Sequence, residues 1–431
     1  MEIAIILTFV IGYLAIALEH PIKINKAASA LLTGVLCWTI YILSVADKDA
    51  VSHKLVEYLG EISGILFFLL GAMTLVELID AHDGFQIITD KIKTQSVVKL
   101  LWIVGIITFF LSAVLDNLTT TIVIISMLRK ILSDRDKRLF FAGITVIAAN
   151  AGGAWSPIGD VTTTMLWVGG QVTTLRIIEG VFLASVACLL VPLLFLSFRI
   201  RGTFEMPEVE ESKKSSSTAF ERNFVFFLGI AILIFVPVFK TITHLPPFMG
   251  MLFGLGIMWV VTEMIHSGKD EADKDSLSVI YALRKIDTPS ILFFLGILVS
   301  ISALQATGQL AHAAQWLDKT IGNQTIIVVA LGLLSSVVDN VPLVAAAQGM
   351  YSLQQYPRDS FFWEFLAYAT GTGGSTLIIG SAAGVAAMGI EKIDFFWYMK
   401  RITLIALLGY FAGAIVYIVQ YNLMHHYPYF H

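Results

Sequence analysis

Apolar runs long enough to cross a bilayer follow one another almost from end to end of this chain, and that leaves few folds open to it. A hydrocarbon core of about 30 Å takes roughly 20 consecutive apolar residues as a helix. Runs of this kind occupy residues 3–18, 27–45, 62–80, 176–198, 222–239, 247–265, 290–306 and 401–422. With 57% hydrophobic residues and only 14% charged ones among 431, the chain departs far from soluble domains. The expected fold class is an all-α polytopic membrane protein, with the lipid bilayer as its first partner. No basic cluster interleaved with aromatics exists, which argues against nucleic acid. Cys37 and Cys188 lie inside apolar runs at no metal-ligand spacing and read as core residues. The first run has no basic flank before it, and Glu19, His20 and Pro21 follow it in place of a small-residue cleavage site. It is expected to be a span, not a removed signal.

Two further runs, 138–168 and 360–388, are long enough to cross but are interrupted by glycines and, in the first, by Pro157. The remaining apolar pieces form unequal pairs, 98–115 with 119–132 and 324–338 with 342–353. The second members, at about 12 to 14 residues, are too short for a full crossing. Asp116-Asn117 joins the first pair and Asp339-Asn340 the second, so each reads as a re-entrant hairpin (98–132 and 322–353) or, alternatively, as a kinked span. The halves also resemble each other. Ile65–Phe68 recurs as Ile291–Phe294, and the stretch Asn150–Gly159 aligns with Gly371–Gly380, in the same order and at nearly constant offset. Residues 1–198 and 222–431 then form two repeats of five crossings and one hairpin, joined by a polar, flexible linker at 199–221. An odd number of crossings inverts the second repeat, the plan of secondary transporters.

Basic residues give an independent orientation. Lys91, Lys93, Lys99, Arg129, Lys130, Arg135, Lys137 and Arg138 flank the first hairpin, whereas only Lys319 and Arg358, each beside an aspartate, flank the second. The first hairpin is expected to open to the cytoplasm and the second to the periplasm of a bacterial inner membrane, with both termini periplasmic. Residues 83–95, 308–319 and 391–400 read as amphipathic interfacial helices.

Unsatisfied backbone in hydrocarbon costs several kcal/mol per group, so helix breaks at depth persist where they line a site. Gly152, Gly153, Gly373 and Gly374 allow two of those breaks. An ionised aspartate at a helix centre costs about 2.5–3.5 kcal/mol on insertion scales, which marks Asp116, Asp160 and Asp339 as candidate ion and proton carriers. Asp160 equally suits a helix N-cap, and its counterpart in the other half is Ser381, so the acidic site is asymmetric. Asn117, Asn150 and Asn340 offer amide oxygens; Thr119, Thr162, Thr163 and Ser375 offer hydroxyls. Freed carbonyls could complete a hard-cation site. A buried carboxylate holds a proton or a sodium ion but not both, and that competition suffices for exchange. Glu77 is a weaker candidate proton relay. His20, His53, His82, His244 and His266 fall near span ends and read as interfacial. No P-loop, Gly-x-Ser-x-Gly or His-Glu-x-x-His occurs, so an enzyme is not expected.

Ala113–Thr121, Asn150–Asp160 and Ser336–Pro342 together resemble the NhaD-type Na⁺/H⁺ antiporters of the ion transporter superfamily over nearly the whole chain. The resemblance implies a homodimer with a scaffold domain and a transport domain moving as an elevator. It also implies exchange of cytoplasmic Na⁺ or Li⁺ for external protons, with the metal ion at Asp116, Asp160 and Asp339 and no cofactor. By position it carries the functional roles to Asp116, Asn117, Thr119, Asn150, Asp160, Thr162, Thr163, Asp339, Asn340 and Ser375. Asp-Asn tips also occur in arsenite permeases, so an oxyanion or carboxylate permease is the alternative. That alternative predicts a cationic or amide-rich pocket for the anion, and the sequence supplies no lysine or arginine at any break. The Ser-Asn-Thr tips in which sodium-coupled dicarboxylate relatives resemble one another are absent.

Overall fold

A computed structural model describes residues 2–89, 94–200, 202–204 and 217–426. Every named element among them is a helix, and the one strand-like contact is a single antiparallel bridge between Ser96 and Thr203. The first stretch holds α1 (Glu2–Ala17), α2 (Glu19–Ile22), α3 (Lys26–Leu43), α4 (Lys48–Ala81) and the single turn α5 (Gln86–Thr89). Next come α6 (Val97–Leu115), α7 (Asn117–Ile131), α8 (Arg135–Ala154), α9 (Val161–Val168) and α10 (Thr174–Arg199). Beyond the linker lie α11 (Ala219–Thr243), α12 (Pro247–Ile265), α13 (Glu271–Ser276), α14 (Val279–Lys285), α15 (Thr288–Ala306) and α16 (Gln309–Thr320). The chain closes with α17 (Gln324–Leu334), α18 (Asn340–Met350), α19 (Phe361–Gly373), α20 (Ala382–Glu391), α21 (Phe395–Arg401) and α22 (Thr403–His426).

Among the described residues, eight helices are long and apolar enough to cross a membrane: α3, α4, α6, α10, α11, α12, α15 and α22. The two broken runs appear as α8 with α9 and α19 with α20, and the two unequal pairs as α6 with α7 and α17 with α18. Three expectations change. Helix α4 is 34 residues long and starts at Lys48, well before residue 62, because its polar first half continues from the cap that Asp47 provides to Ala50 N at 3.0 Å. Helix α1 has 16 residues, about 24 Å of rise, so alone it is shorter than a bilayer core. Of the described residues in the amphipathic stretch 83–95, Gln86–Thr89 are helical; residues 90–93 lie outside the described residues.

The ends of the linker are held. Val97 N donates to Gly202 O at 3.2 Å and Phe204 N to Gln95 O at 3.0 Å. Thr218 closes a capping box with Glu221 at the start of α11. Residues 205–216, with Pro207 and the Lys-Lys-Ser run, lie outside the described residues.

Two packing groups emerge. Helix α15 lies against α3 and α4, α1 against α3, and α12 against α4 and α11. The second group joins α6 to α8, α10 to α22, and α17 to α19. Within it each short arm crosses to a half-helix of distant sequence, α7 to α20 and α18 to α9. A charged clamp fixes the first of those crossings. Glu391, with its side chain 2% exposed, takes Arg129 Nε on Oε1 at 2.6 Å and Arg138 Nε on Oε2 at 3.1 Å. Glu391→Gln leaves two guanidinium groups facing a neutral amide. Because Arg129 is half exposed, the expected loss is about 1–2 kcal/mol, below the range for a fully buried pair. Thermal unfolding in detergent checks this, and a wild-type midpoint would contradict it.

Candidate functional site

Four helices begin in the protein interior, and each has a polar side chain on its first backbone amides. Asp116 caps α7, accepting Thr119 N at 2.8 Å on Oδ1 and Thr119 Oγ1 at 2.9 Å on Oδ2. Asp160 caps α9, with Oδ1 accepting Thr162 N and Thr162 Oγ1, both at 2.9 Å. Asp339 caps α18 through Val341 N at 3.2 Å, and Ser381 caps α20 through Gly384 N at 3.2 Å. Helix N-termini carry partial positive charge, so an anionic cap is stabilised there. Asp116 sits at φ 85°, ψ 159°, whereas Asp339 is at φ −47°. A non-glycine residue in that region costs about 1–3 kcal/mol, strain that persists only where surrounding structure fixes it.

Asp160 and Asn150 lie at the centre. Asp160 is 1% exposed, and its Oδ2 accepts Asn117 Nδ2 at 2.9 Å. The same Nδ2 donates to Asn150 Oδ1 at 3.0 Å. Asn150 Nδ2 then donates to Ser375 Oγ and Ser381 Oγ, each at 2.9 Å. One amide thus ties the first pair to the breaks of both interrupted helices. Electrostatically the acids form a chain, for Asp116 lies within reach of the charge on Asp160, and Asp160 within reach of Asp339. Among the described residues no three His, Cys, Asp or Glu side chains gather closely enough to cage a metal ion. A hard cation beside Asp160 would therefore draw most of its ligands from amide, hydroxyl and carbonyl oxygens. Thr120 Oγ1, Thr121 Oγ1, Thr376 Oγ1 and Asn340 Nδ2 are buried without a hydrogen-bond partner, a concentration of unpaired polar atoms that ordinary cores avoid.

The two breaks share contacts. Ser112 Oγ donates to Ala149 O at 2.6 Å, and Ser335 Oγ donates to Thr370 O at 2.9 Å. A methyl group on Gly159 would lie 2.6 Å from Ser112 O, and one on Gly380 the same distance from Ser335 O. Gly152 and Gly373 each press against a carbonyl of the neighbouring helix, Phe109 O and Gly332 O. Gly153 and Gly374 abut Gly159 and Gly380 across the turns that follow.

Some expected ligands are committed elsewhere, and others went unforeseen. Thr163 Oγ1 donates to Ala154 O at 3.3 Å, stapling its own break. Ser381 was visible only as the counterpart of Asp160, yet it shares Asn150 with Ser375. A lysine does reach a break: Lys26 Nζ lies 3.6 Å from Asp339 Oδ2 and 4.4 Å over the Phe293 ring. Sequence neighbourhood could not reveal it, because Lys26 opens α3, far from Asp339 along the chain. Glu364, 1% exposed on α19, was not singled out; Arg176 Nε lies 3.6 Å from its Oε1, and Tyr417 donates to its Oε2 at 3.1 Å. His82 and His266 stand at span ends, as the C-caps of α4 and α12, and are buried there, with stacked rings and Nε2 atoms 3.3 Å apart. Burial pushes both down, His266 to about 4, so they stay neutral near pH 7.

Two cavities border the helices that carry the site. One of about 140 Å³ is lined by Thr119, Glu77, Asp80, Lys285 and Asp287. Another of about 440 Å³ is lined by Glu61, Gln171, Ser302, Gln305 and Gln348, beyond α9 and α18.

The sequence matches the family profile described as citrate transporter (CitMHS) over residues 13–371. It is similar to sodium/proton antiporter 1 of Arabidopsis thaliana, at 48% identity over 98% of this chain and 73% of that protein. Sodium/proton antiporter 2 of the same plant is 44% identical over 96% of this chain and 99% of its own length. The Na⁺/H⁺ antiporter NhaD of Vibrio cholerae is 32% identical, covering 96% of this chain and 91% of that protein.

Proposed function

The chain belongs to the citrate transporter family and is an NhaD-type transporter of the ion transporter superfamily, not an enzyme; from that premise we propose that it exchanges Na⁺, and Li⁺, for H⁺. The observation that carries the proposal is Asp160, a fully buried carboxylate whose hydrogen bonds among the described residues come from Thr162 and Asn117. Among the described residues no fixed cation pairs with it, so a mobile one is left to neutralise it, and a proton and a sodium ion compete for the place. Asp116 and Asp339 flank it electrostatically and give an arriving cation a second and third acid.

The matched contacts about Ser112 and Ser335, and about Gly159 and Gly380, support two inverted repeats, residues 1–198 and 222–431, with α6–α7 and α17–α18 as re-entrant hairpins. The two packing groups support a scaffold around α3, α4, α12 and α15 and a transport body around α6–α10 and α17–α22, the body shifting as an elevator. Arg129 and Arg138 meet Glu391, and Lys137 Nζ reaches Thr203 O at 3.3 Å, so the basic end of the first hairpin and the linker share one face. That face is taken as cytoplasmic, with both termini periplasmic, in a bacterial inner membrane. A homodimer completes the reading.

The family description favours a second reading, a carboxylate permease, and Lys26 supplies a cation at a break. Yet its charge is already balanced by Asp339. Proteoliposomes carrying a pH gradient and an acridine-type dye separate the two. Added Na⁺ or Li⁺ at pH 8–9 is expected to collapse the gradient while citrate does not. A gradient unmoved by either cation would contradict exchange.

A further inference from the structure

Among the described residues, Asp339 is the one of the three acids that already has a fixed cation beside it. Lys26 is the first residue of α3, set there by its backbone N donating to Glu19 Oε1 at 3.1 Å and by the Asn25 cap on Ala27 N at 2.8 Å. Its ammonium lies 3.6 Å from Asp339 Oδ2, and the two side chains are 21% and 15% exposed. The ring of Phe293, on α15, lies beneath the ammonium at 4.4 Å. Lys26 and Phe293 sit on α3 and α15, which pack against each other, whereas Asp339 heads α18, which packs on α9 and α19 and, across the seam between the groups, on α15. The ion pair therefore spans the two packing groups. A cavity of about 460 Å³, lined by Lys26, Glu19 and Asn25 with Leu118 and Ile122 of α7, gives ions and water a way to the pair.

A half-buried carboxylate is neutralised by one cation at a time. We propose that Lys26 is the resident counter-ion of Asp339, displaced when a transported cation or a proton arrives there, so that occupancy of Asp339 unpins α18 from α3. The ammonium is then an intramolecular competitor for Na⁺ and a latch between the two groups. The inference rests on the exchange reading above. Lys26 acts through Asp339 and is a positioning residue.

The test is Na⁺-driven proton flux of the full chain in proteoliposomes, as apparent KM and maximal rate for wild type, Lys26→Gln and Lys26→Arg. Lys26→Gln is expected to lower the apparent KM for Na⁺ by about 5- to 30-fold, within the usual span of coupled binding events. Lys26→Arg, which keeps the cation, is expected to retain the wild-type KM. A KM that stays unchanged or rises in Lys26→Gln, while flux persists, overturns the proposal and leaves exchange intact. Absence of flux in wild type removes both. Should Lys26→Gln fail to fold, acylation of wild-type Lys26 by an amine reagent, read by mass spectrometry, decides the matter. Added Na⁺ is expected to raise labelling over choline, and equal labelling overturns the proposal.

Discussion

Asp160→Asn is expected to abolish Na⁺-driven proton movement, a fall of about 10²–10³-fold or more, the scale on which preorganised charge matters in a dry site. The folded chain should survive. An asparagine oxygen can still take Thr162 N and Oγ1 in place of Oδ1. Its amide nitrogen then meets Asn117 Nδ2, which keeps Asn150 Oδ1 as a partner. What disappears is the charge, and with it the only group of the network able to exchange a proton for a cation. Flux in proteoliposomes together with a monodisperse elution profile checks this, and exchange at half the wild-type rate would sink it. Asp116→Asn and Asp339→Asn are expected to abolish exchange by the same reasoning while the protein still inserts.

Gly373→Ala and Gly152→Ala should each lower stability by about 1–3 kcal/mol or more, because the added methyl overpacks against main chain. At Gly373 it runs into Gly332 O and at Gly152 into Phe109 O. A flexible side chain could swing aside, but a helix carbonyl cannot. Relief requires α17 to leave α19, or α6 to leave α8, and those contacts hold Asp339 and Asp116 opposite the breaks. A lower yield of folded protein and a lower unfolding midpoint are the expected results. Wild-type midpoints with wild-type flux would show that the helices do not need to approach this closely.

Most of the membrane architecture was legible in the sequence, because in hydrocarbon the length of an apolar run nearly dictates a helix. Helix α12 matches its predicted run 247–265 to the residue. The Asp-Asn junctions were legible because aspartate inside an apolar run has few other reasons to be there. Where polar residues continue a helix past the membrane the run length says nothing, and so the first half of α4 was missed. The partners of each acid were harder still. Thr119 and Thr162 lie within three residues of Asp116 and Asp160 and could be named from spacing. Lys26 and Ser381 reach the site through tertiary packing, which local spacing does not encode. Thr163 has the right chemistry, yet its hydroxyl is turned onto Ala154 O, as hydroxyls near helix termini often are.

On this account a transported cation must rest against Asp160. The most direct measurement is a density map of the purified protein at pH 8–9 in Na⁺, compared with one in choline, for wild type and Asp160→Asn. The account predicts a Na⁺-dependent peak in contact with Asp160 Oδ2 among the oxygens of Asn117, Asn150 and Ser375, and no such peak in the variant. A Na⁺ peak lying elsewhere, or one that persists unchanged in Asp160→Asn, would contradict it.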